Sequence, residues 1–68
     1  MNMRIAFLAS RAPVAQEALQ RLVDLHGQAA PEEADVIVAL GGDGFMLRTL
    51  HRTMNLAAPV YGMNRGTI

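Results

Sequence analysis

The 68-residue sequence has no cysteine, no lysine and no tryptophan, and its six acidic and six basic residues cancel to a net charge of zero. Without cysteine, the fold cannot use disulfides or a cysteine-based metal site, and a reducing cytoplasm is the expected compartment. No apolar run approaches the roughly 18 residues that a membrane span requires. The basic residues are all arginines without a run or stripe, so we expect neither a nucleic-acid nor a membrane partner.

The composition is rich in apolar residues, which predicts a packed core. Hydrophobic residues make up 51% of the chain and charged residues only 18%, a balance that disfavours disorder. A chain of about 60 residues, however, buries only roughly 60% of its unfolded surface. We therefore expect so apolar a chain to need further polypeptide to pack against, and we interpret residues 1–68 as part of a larger protein.

Two short apolar runs, 4–9 and 36–40, predict strands buried on both faces of a parallel sheet, and residues 60–63 predict a short third strand. Between the first two, helical spacing predicts an amphipathic helix over residues 13–26, with Pro13 in its first turn and Gly27 as a left-handed C-terminal cap. The connection 28–33 leaves room for a further short strand.

A second helix is predicted after the second strand, reaching about Met54. Its inner face is expected to consist of apolar residues at helical spacing: Met46, Leu47, Leu50 and Met54. Strands that alternate with helices indicate an α/β fold, with a partial Rossmann-like parallel sheet and flanking helices.

In such a sheet, ligands bind beyond the carboxyl ends of the strands, where this sequence has residues 10–11, 41–44 and 64–66. The loop Gly41-Gly42-Asp43-Gly44 precedes a helix start, so its N–H groups and the helix dipole favour an anion. The glycines allow close approach and positive φ. Asp43 is the carboxylate expected at this edge, and we predict that it faces the ligand.

Other interpretations of this loop are open to test. An Asp-Gly pair is common in hairpins, but helical periodicity follows here. Asp43 as a helix N-cap is compatible with a ligand site. A P-loop is excluded because the chain has no lysine, and the dinucleotide fingerprint fails because Leu47 stands at its third glycine.

Two segments together resemble the NAD kinase family: VIVALGGDGFML at 36–47, and YGMNRG at 61–66. Diacylglycerol and sphingosine kinases and phosphofructokinases have a related Gly-Gly-Asp loop, so the pairing of the segments is what favours NAD kinases. The resemblance implies that residues 1–68 are the N-terminal part of the nucleotide-binding domain of a larger two-domain kinase. The C-terminal β domain and an Asn-Glu or Asn-Asp pair of that family lie outside these residues.

The resemblance further implies phosphoryl transfer from ATP to the adenosine-ribose 2′-hydroxyl of NAD, which gives NADP, with a divalent cation expected to be Mg²⁺. By this analogy Asp43 is the catalytic proton acceptor, Gly44 lines the ribose and Arg48 reaches a substrate phosphate, while no residue is assigned to the metal. Because the transition state is loose, we expect Asp43 to position the hydroxyl and accept its proton late.

The expected partners are small nucleotides and other copies of the full-length chain in a homo-oligomer. A regulatory module that binds nucleotide without catalysis, or a kinase of the lipid-kinase type, are the alternatives. Several other residues are expected to be structural: His51 at the surface, Met46 and Met54 in the core, and Ser10 in a turn. Arg65 is left undecided between solvent and a phosphate.

Overall fold

The computed structural model describes residues 3–64, with Asn64 described by its backbone only. It contains three strands, β1 (Ile5–Ala9), β2 (Val36–Gly41) and β3 (Val60–Asn64), two helices, α1 (Pro13–His26) and α2 (Asp43–Thr53), and a 3₁₀ turn at Pro31–Glu33. The strands form one parallel sheet in the order β1-β2-β3. The α/β prediction is confirmed. Within the described residues, neither helix is long and apolar enough to cross a membrane.

The predicted limits of α1 are confirmed at both ends. Pro13 occupies the first helical turn, where its missing N–H costs nothing. Gly27 has a φ of 80° and donates its N–H to the carbonyl of Val23 at 2.8 Å. Its ψ of −176° is extended, whereas the expected left-handed helical cap would have a ψ of about 47°. Gly27 therefore ends the helix in a different conformation, which is also essentially restricted to glycine.

The connection after α1 contains no strand but runs along the free edge of β1. Ala29 donates its N–H to the carbonyl of Ile5 at 3.0 Å, and the side-chain amide of Gln28 bonds both backbone groups of Phe7. The opposite edge of β1 pairs with β2, as the bond from Ser10 N–H to the carbonyl of Leu40 at 2.9 Å illustrates. The chain therefore leaves α1 on one side of β1 and continues in β2 on the other.

The two helices lie on opposite faces of the sheet. On one face, the ring of Phe7 stacks with His26 of α1 at a centroid distance of 6.2 Å. On the other face, α2 packs against the glycines of β2 and β3, because Met46 lies against Gly62 and Phe45 against Gly41. Ala6, Ile37, Ala39 and Leu40 have no exposed surface and form the centre of the core.

The inner face of α2 differs from the predicted one. The buried residues of this helix are Thr49 and Thr53, and the Thr53 hydroxyl donates to the carbonyl of Thr49 at 2.8 Å. Leu50 is 48% exposed and Met54 is 72% exposed, so the expected core role of Met54 is wrong. Leu47 is also exposed, while Met46 is half-buried, as its contact with Gly62 requires. The glycines of the sheet fix this orientation by admitting Phe45 and Met46.

Candidate functional site

The carboxyl ends of the three strands meet at one edge of the sheet, as predicted. The register pairs Ala9 of β1 with Leu40, and Gly41 of β2 with the backbone of Asn64. Residues 10–11 and 42–44 consequently follow neighbouring strands at the same edge. Arg65 and Gly66, which were also expected there, lie outside the described residues.

At this edge Gly42 caps α2 and Asp43 is the first helical residue. Gly42 has an extended conformation, with φ −87° and ψ −172°, and its carbonyl accepts a bond from Met46 N–H at 3.0 Å. No side chain caps this end of the helix, so the interpretation of Asp43 as an N-cap is wrong. Asp43 is exposed in the first turn, where the helix dipole favours its negative charge.

The loop glycines provide space rather than unusual backbone angles. The positive φ that glycine permits does not occur in this loop, because Gly27 is the one residue with a positive φ in the described part of the chain. A Cβ at Gly41 would lie 2.8 Å from Cδ2 of Phe45, so this glycine is required by packing. At Gly42 and Gly44, by contrast, no described heavy atom lies within 4 Å of a Cβ position. Their outer faces are open to a ligand.

Beside the loop lies an open cleft of about 580 Å³, within the range of ligand pockets. Its walls come from the end of β1 and from α2, and the lining residues are Ala9, Ser10, Arg11, Phe45, Arg48 and Arg52. Arg48, predicted to contact a phosphate, lies in this wall. Asp43 and Gly44 do not line the cleft but immediately precede Phe45 on the same helix.

Sequence reasoning placed Arg11 at the ligand edge without giving it a binding role, and it missed Arg52 as a candidate site residue. Arg48 and Arg52 are four residues apart on α2, which places them on the same side of the helix. That spacing, on a helix that begins at the glycine loop, was the available signal. Arg11 directly follows Ser10 at the end of β1 and is brought opposite them by the fold.

Ser10 and His51 have the structural roles expected of them. The carbonyl of Ser10 accepts a bond from Nε2 of Gln16 at 2.7 Å, and its hydroxyl oxygen accepts one from Ala12 N–H at 3.3 Å. Ser10 is therefore a turn residue between β1 and α1. His51 is exposed on α2, as predicted.

A second cavity, of about 310 Å³, lies on the other face of the sheet between α1 and β3. Most of its lining is apolar, including Val14, Leu22, Leu25 and Met63. It lacks the concentration of charge found at the first cleft. We therefore take the cleft beside the glycine loop as the candidate functional site.

Residues 3–64 contain no group of three or more His, Cys, Asp or Glu side chains arranged to hold a metal ion. Asp43 is the one carboxylate among residues 10–12 and 42–44 at this edge. A single exposed carboxylate does not form a complete cation site. The described residues therefore do not by themselves account for the divalent cation that the resemblance implies.

Comparison with known proteins decides the family. Residues 3–68 match the family model described as the ATP-NAD kinase N-terminal domain. The chain belongs to this family. This membership confirms the resemblance carried by the glycine loop and by the YGMNRG segment. The domain limit at residue 68 and a C-terminal β domain stay predictions.

Curated relatives of this ATP-NAD kinase N-terminal domain include bacterial proteins named NAD kinase. The chain is 66% identical to one from Cereibacter sphaeroides over 65 residues, covering 96% of this chain and 26% of the relative. It is 61% identical to one from Rhizobium meliloti over 64 residues, covering 94% of this chain and 25% of the relative. The chain thus spans about a quarter of the length of these relatives. No solved structure matches it.

Proposed function

We propose that the full-length protein containing this chain is an NAD kinase, which transfers the γ-phosphoryl group of ATP to the adenosine-ribose 2′-hydroxyl of NAD. The observation that carries the proposal is Asp43, an exposed carboxylate between two glycines with open outer faces. It stands at the carboxyl edge of a parallel sheet, the usual ligand position, in a chain of the ATP-NAD kinase family.

In the proposed reaction, the 2′-hydroxyl oxygen forms a bond to the γ-phosphorus while the bond from that phosphorus to the β,γ-bridging oxygen breaks. ADP leaves with the electron pair of the broken bond, and the hydroxyl proton passes to the Asp43 carboxylate. Since the transition state is loose, the main contribution of Asp43 is to orient the hydroxyl through a hydrogen bond. Its exposure and the absence of a described hydrogen-bond partner leave it available for this role.

Gly44 and Arg48 have binding roles in this proposal. The missing side chain of Gly44 lets the ribose approach the first turn of α2. Arg48 follows Asp43 by five residues, which is about 1.4 turns and about 7.5 Å along the helix axis at 1.5 Å per residue. An extended guanidinium at that position reaches a phosphate attached to the bound ribose, and it forms two parallel hydrogen bonds with phosphate oxygens.

The remaining components of the proposal concern the cation, the compartment and the assembly. Mg²⁺ is commonly held by one or two carboxylates together with substrate phosphates, so we assign the divalent cation to the bound nucleotide rather than to a site built by residues 3–64. We further propose a cytoplasmic protein that forms homo-oligomers and binds small nucleotides, not nucleic acid or a membrane.

An NADP-specific coupled assay tests the proposal. The full-length protein, supplied with ATP, NAD and Mg²⁺, is expected to form NADP, and omission of ATP provides the blank. Absence of NADP above that blank would contradict the kinase. Binding of nucleotide without turnover would instead favour the regulatory module considered from the sequence.

A further inference from the structure

Half of the chain's six arginines line the cleft beside the glycine loop. Arg11, Arg48 and Arg52 line it, and all three are exposed. Among the described residues, the single ion pair joins Arg4 and Glu33 at 3.8 Å, so none of the three has an acidic partner there. Arg21, the other described arginine, lines the cavity on the opposite face.

This clustering is not a consequence of a basic composition, because the net charge is zero. None of the six acidic residues lines the cleft. Glu32, Glu33 and Asp35 precede β2 at the amino edge of the sheet, Asp24 lies in the last turn of α1, Glu17 lines the cavity on the opposite face, and Asp43 lies at the carboxyl edge two residues before Phe45. The cleft is thus lined by three arginines and by no acidic residue. This local excess of positive charge creates a positive potential in the cleft that attracts anions.

The arrangement is costly without a ligand. Like charges four residues apart on a helix, such as Arg48 and Arg52, destabilise it by a few tenths of a kcal/mol. Arg52 lies in the last turn, where the helix dipole favours a cation, and this offsets part of the cost. Arg48 lies further from the end of the helix and does not gain this stabilisation. A bound anion with several charges removes the repulsion and provides partners for all three guanidinium groups.

The position of the cleft also favours a ligand. The segment at Gln28 and Ala29 runs along one edge of β1, whereas β2 pairs with the other. The chain therefore changes direction across the sheet between β1 and β2, and crevices at such reversal points are the usual ligand sites of open α/β sheets. The cleft opens at this point, between the end of β1 and α2.

We propose that Arg11 and Arg52, together with Arg48, form a subsite for the oligophosphate chain of a nucleotide. Guanidinium groups bind phosphate through paired hydrogen bonds. A cleft with three of them suits a ligand with several phosphates better than a ligand with a single carboxylate. The anion subsite stands on the geometry alone. Which nucleotide supplies the phosphates, the triphosphate donor or the dinucleotide acceptor, rests on the proposed kinase function.

The test uses the full-length protein and inorganic tripolyphosphate as the probe, measured by isothermal titration calorimetry. The variants are Arg11→Gln, Arg52→Gln and the double substitution, each of which removes a charge from an exposed position. The matched control is Arg21→Gln, which removes the same charge from the opposite face. Each cleft substitution is expected to weaken tripolyphosphate binding about tenfold, the usual effect of one charged hydrogen bond. The control should bind as the wild type does.

Steady-state kinetics identify the source of the phosphates. A higher KM for ATP in the double variant, with the KM for NAD unchanged, assigns the cleft to the donor, and the reverse pattern assigns it to the dinucleotide. Tripolyphosphate binding that is absent in the wild type, or equal in the wild type, the double variant and Arg21→Gln, would overturn the subsite. If the wild type makes no NADP, the kinase proposal fails while the calorimetry still decides the anion site. Thermal unfolding of every variant confirms that the fold is retained.

Discussion

The side-chain amide of Gln28 takes the place of a neighbouring strand beside Phe7. Its oxygen accepts a hydrogen bond from Phe7 N–H at 2.7 Å, and its nitrogen donates one to the Phe7 carbonyl at 2.9 Å. With the bond from Ala29 N–H to the carbonyl of Ile5, β1 is hydrogen-bonded along both edges. The strand that carries Ser10 and Arg11 to the cleft is thereby held from two sides.

Removal of this amide is expected to destabilise the protein. Gln28→Ala loses both bonds to Phe7 and should lower the free energy of unfolding by about 1–2 kcal/mol. Gln28→Glu retains an acceptor for the N–H but places an oxygen against the Phe7 carbonyl, so we expect at least as large a loss. Urea denaturation of the full-length protein measures both.

Gln20→Ala is the matched control, because that exposed amide bonds the side chain of Asp24 within α1. It should change the free energy of unfolding by less than about 0.5 kcal/mol. Equal losses in Gln20→Ala and Gln28→Ala would show that the pairing with β1 contributes no stability.

Local patterns in the sequence were sufficient for the element order and the limits of α1. Pro13 and Gly27 determine the ends of that helix through their own backbone chemistry, and no distant residue is needed. The pairing of Gln28 with Phe7 has no such signal. It joins a side chain to a backbone 21 residues away, and only the path of the folded chain brings them together.

The inner face of α2 and the arginine cleft required the packed structure. Periodicity identified the helix, but the apolar stripe did not identify the buried side. Thr49 and Thr53 are buried, and the Thr53 hydroxyl is satisfied within the helix, whereas a polarity pattern treats both residues as exposed. The position of Arg52 opposite Arg11 depends on how α2 is rotated against the sheet.

A polypeptide of residues 1–68 alone is expected not to melt cooperatively as a monomer. Large apolar side chains are exposed on both helices and on β3, including Leu25 at 76%, Leu47 at 57% and Tyr61 at 62%. The outer edge of β3 is also unpaired in the described sheet. Circular dichroism during heating, with light scattering, tests this. A monodisperse monomer with a sharp transition would contradict it.

Asp43→Asn in the full-length protein is expected to lower kcat by on the order of 10² to 10⁴ with little change in the KM for NAD. Asn retains the size of Asp but cannot accept the hydroxyl proton. Because Asp43 makes no capping bond and is exposed, the free energy of unfolding should change by no more than about 1 kcal/mol. Steady-state kinetics and thermal unfolding on one preparation provide the measurements.

The control for this substitution is Asp24→Asn, an exposed acid in the last turn of α1, distant in the fold from the glycine loop. It should leave kcat unchanged. A near wild-type kcat for Asp43→Asn would contradict the catalytic role of Asp43. Its role would then be limited to a favourable interaction with the dipole of α2.

Two alanine substitutions in the same loop are expected to change stability in opposite directions. Gly41→Ala would place a Cβ 2.8 Å from Cδ2 and 3.0 Å from Cβ of Phe45, and such overpacking costs about 1–3 kcal/mol. Gly44→Ala enters open space in the first turn of α2 and should stabilise the protein by about 0.5 kcal/mol, because alanine restricts the unfolded chain.

If the ribose packs against Gly44, the same methyl group should raise the KM for NAD about tenfold, so that Gly44→Ala is more stable but binds substrate more weakly. Thermal unfolding and steady-state kinetics measure the two effects. Destabilisation by Gly44→Ala would contradict the open geometry, and an unchanged KM would remove Gly44 from the ribose site.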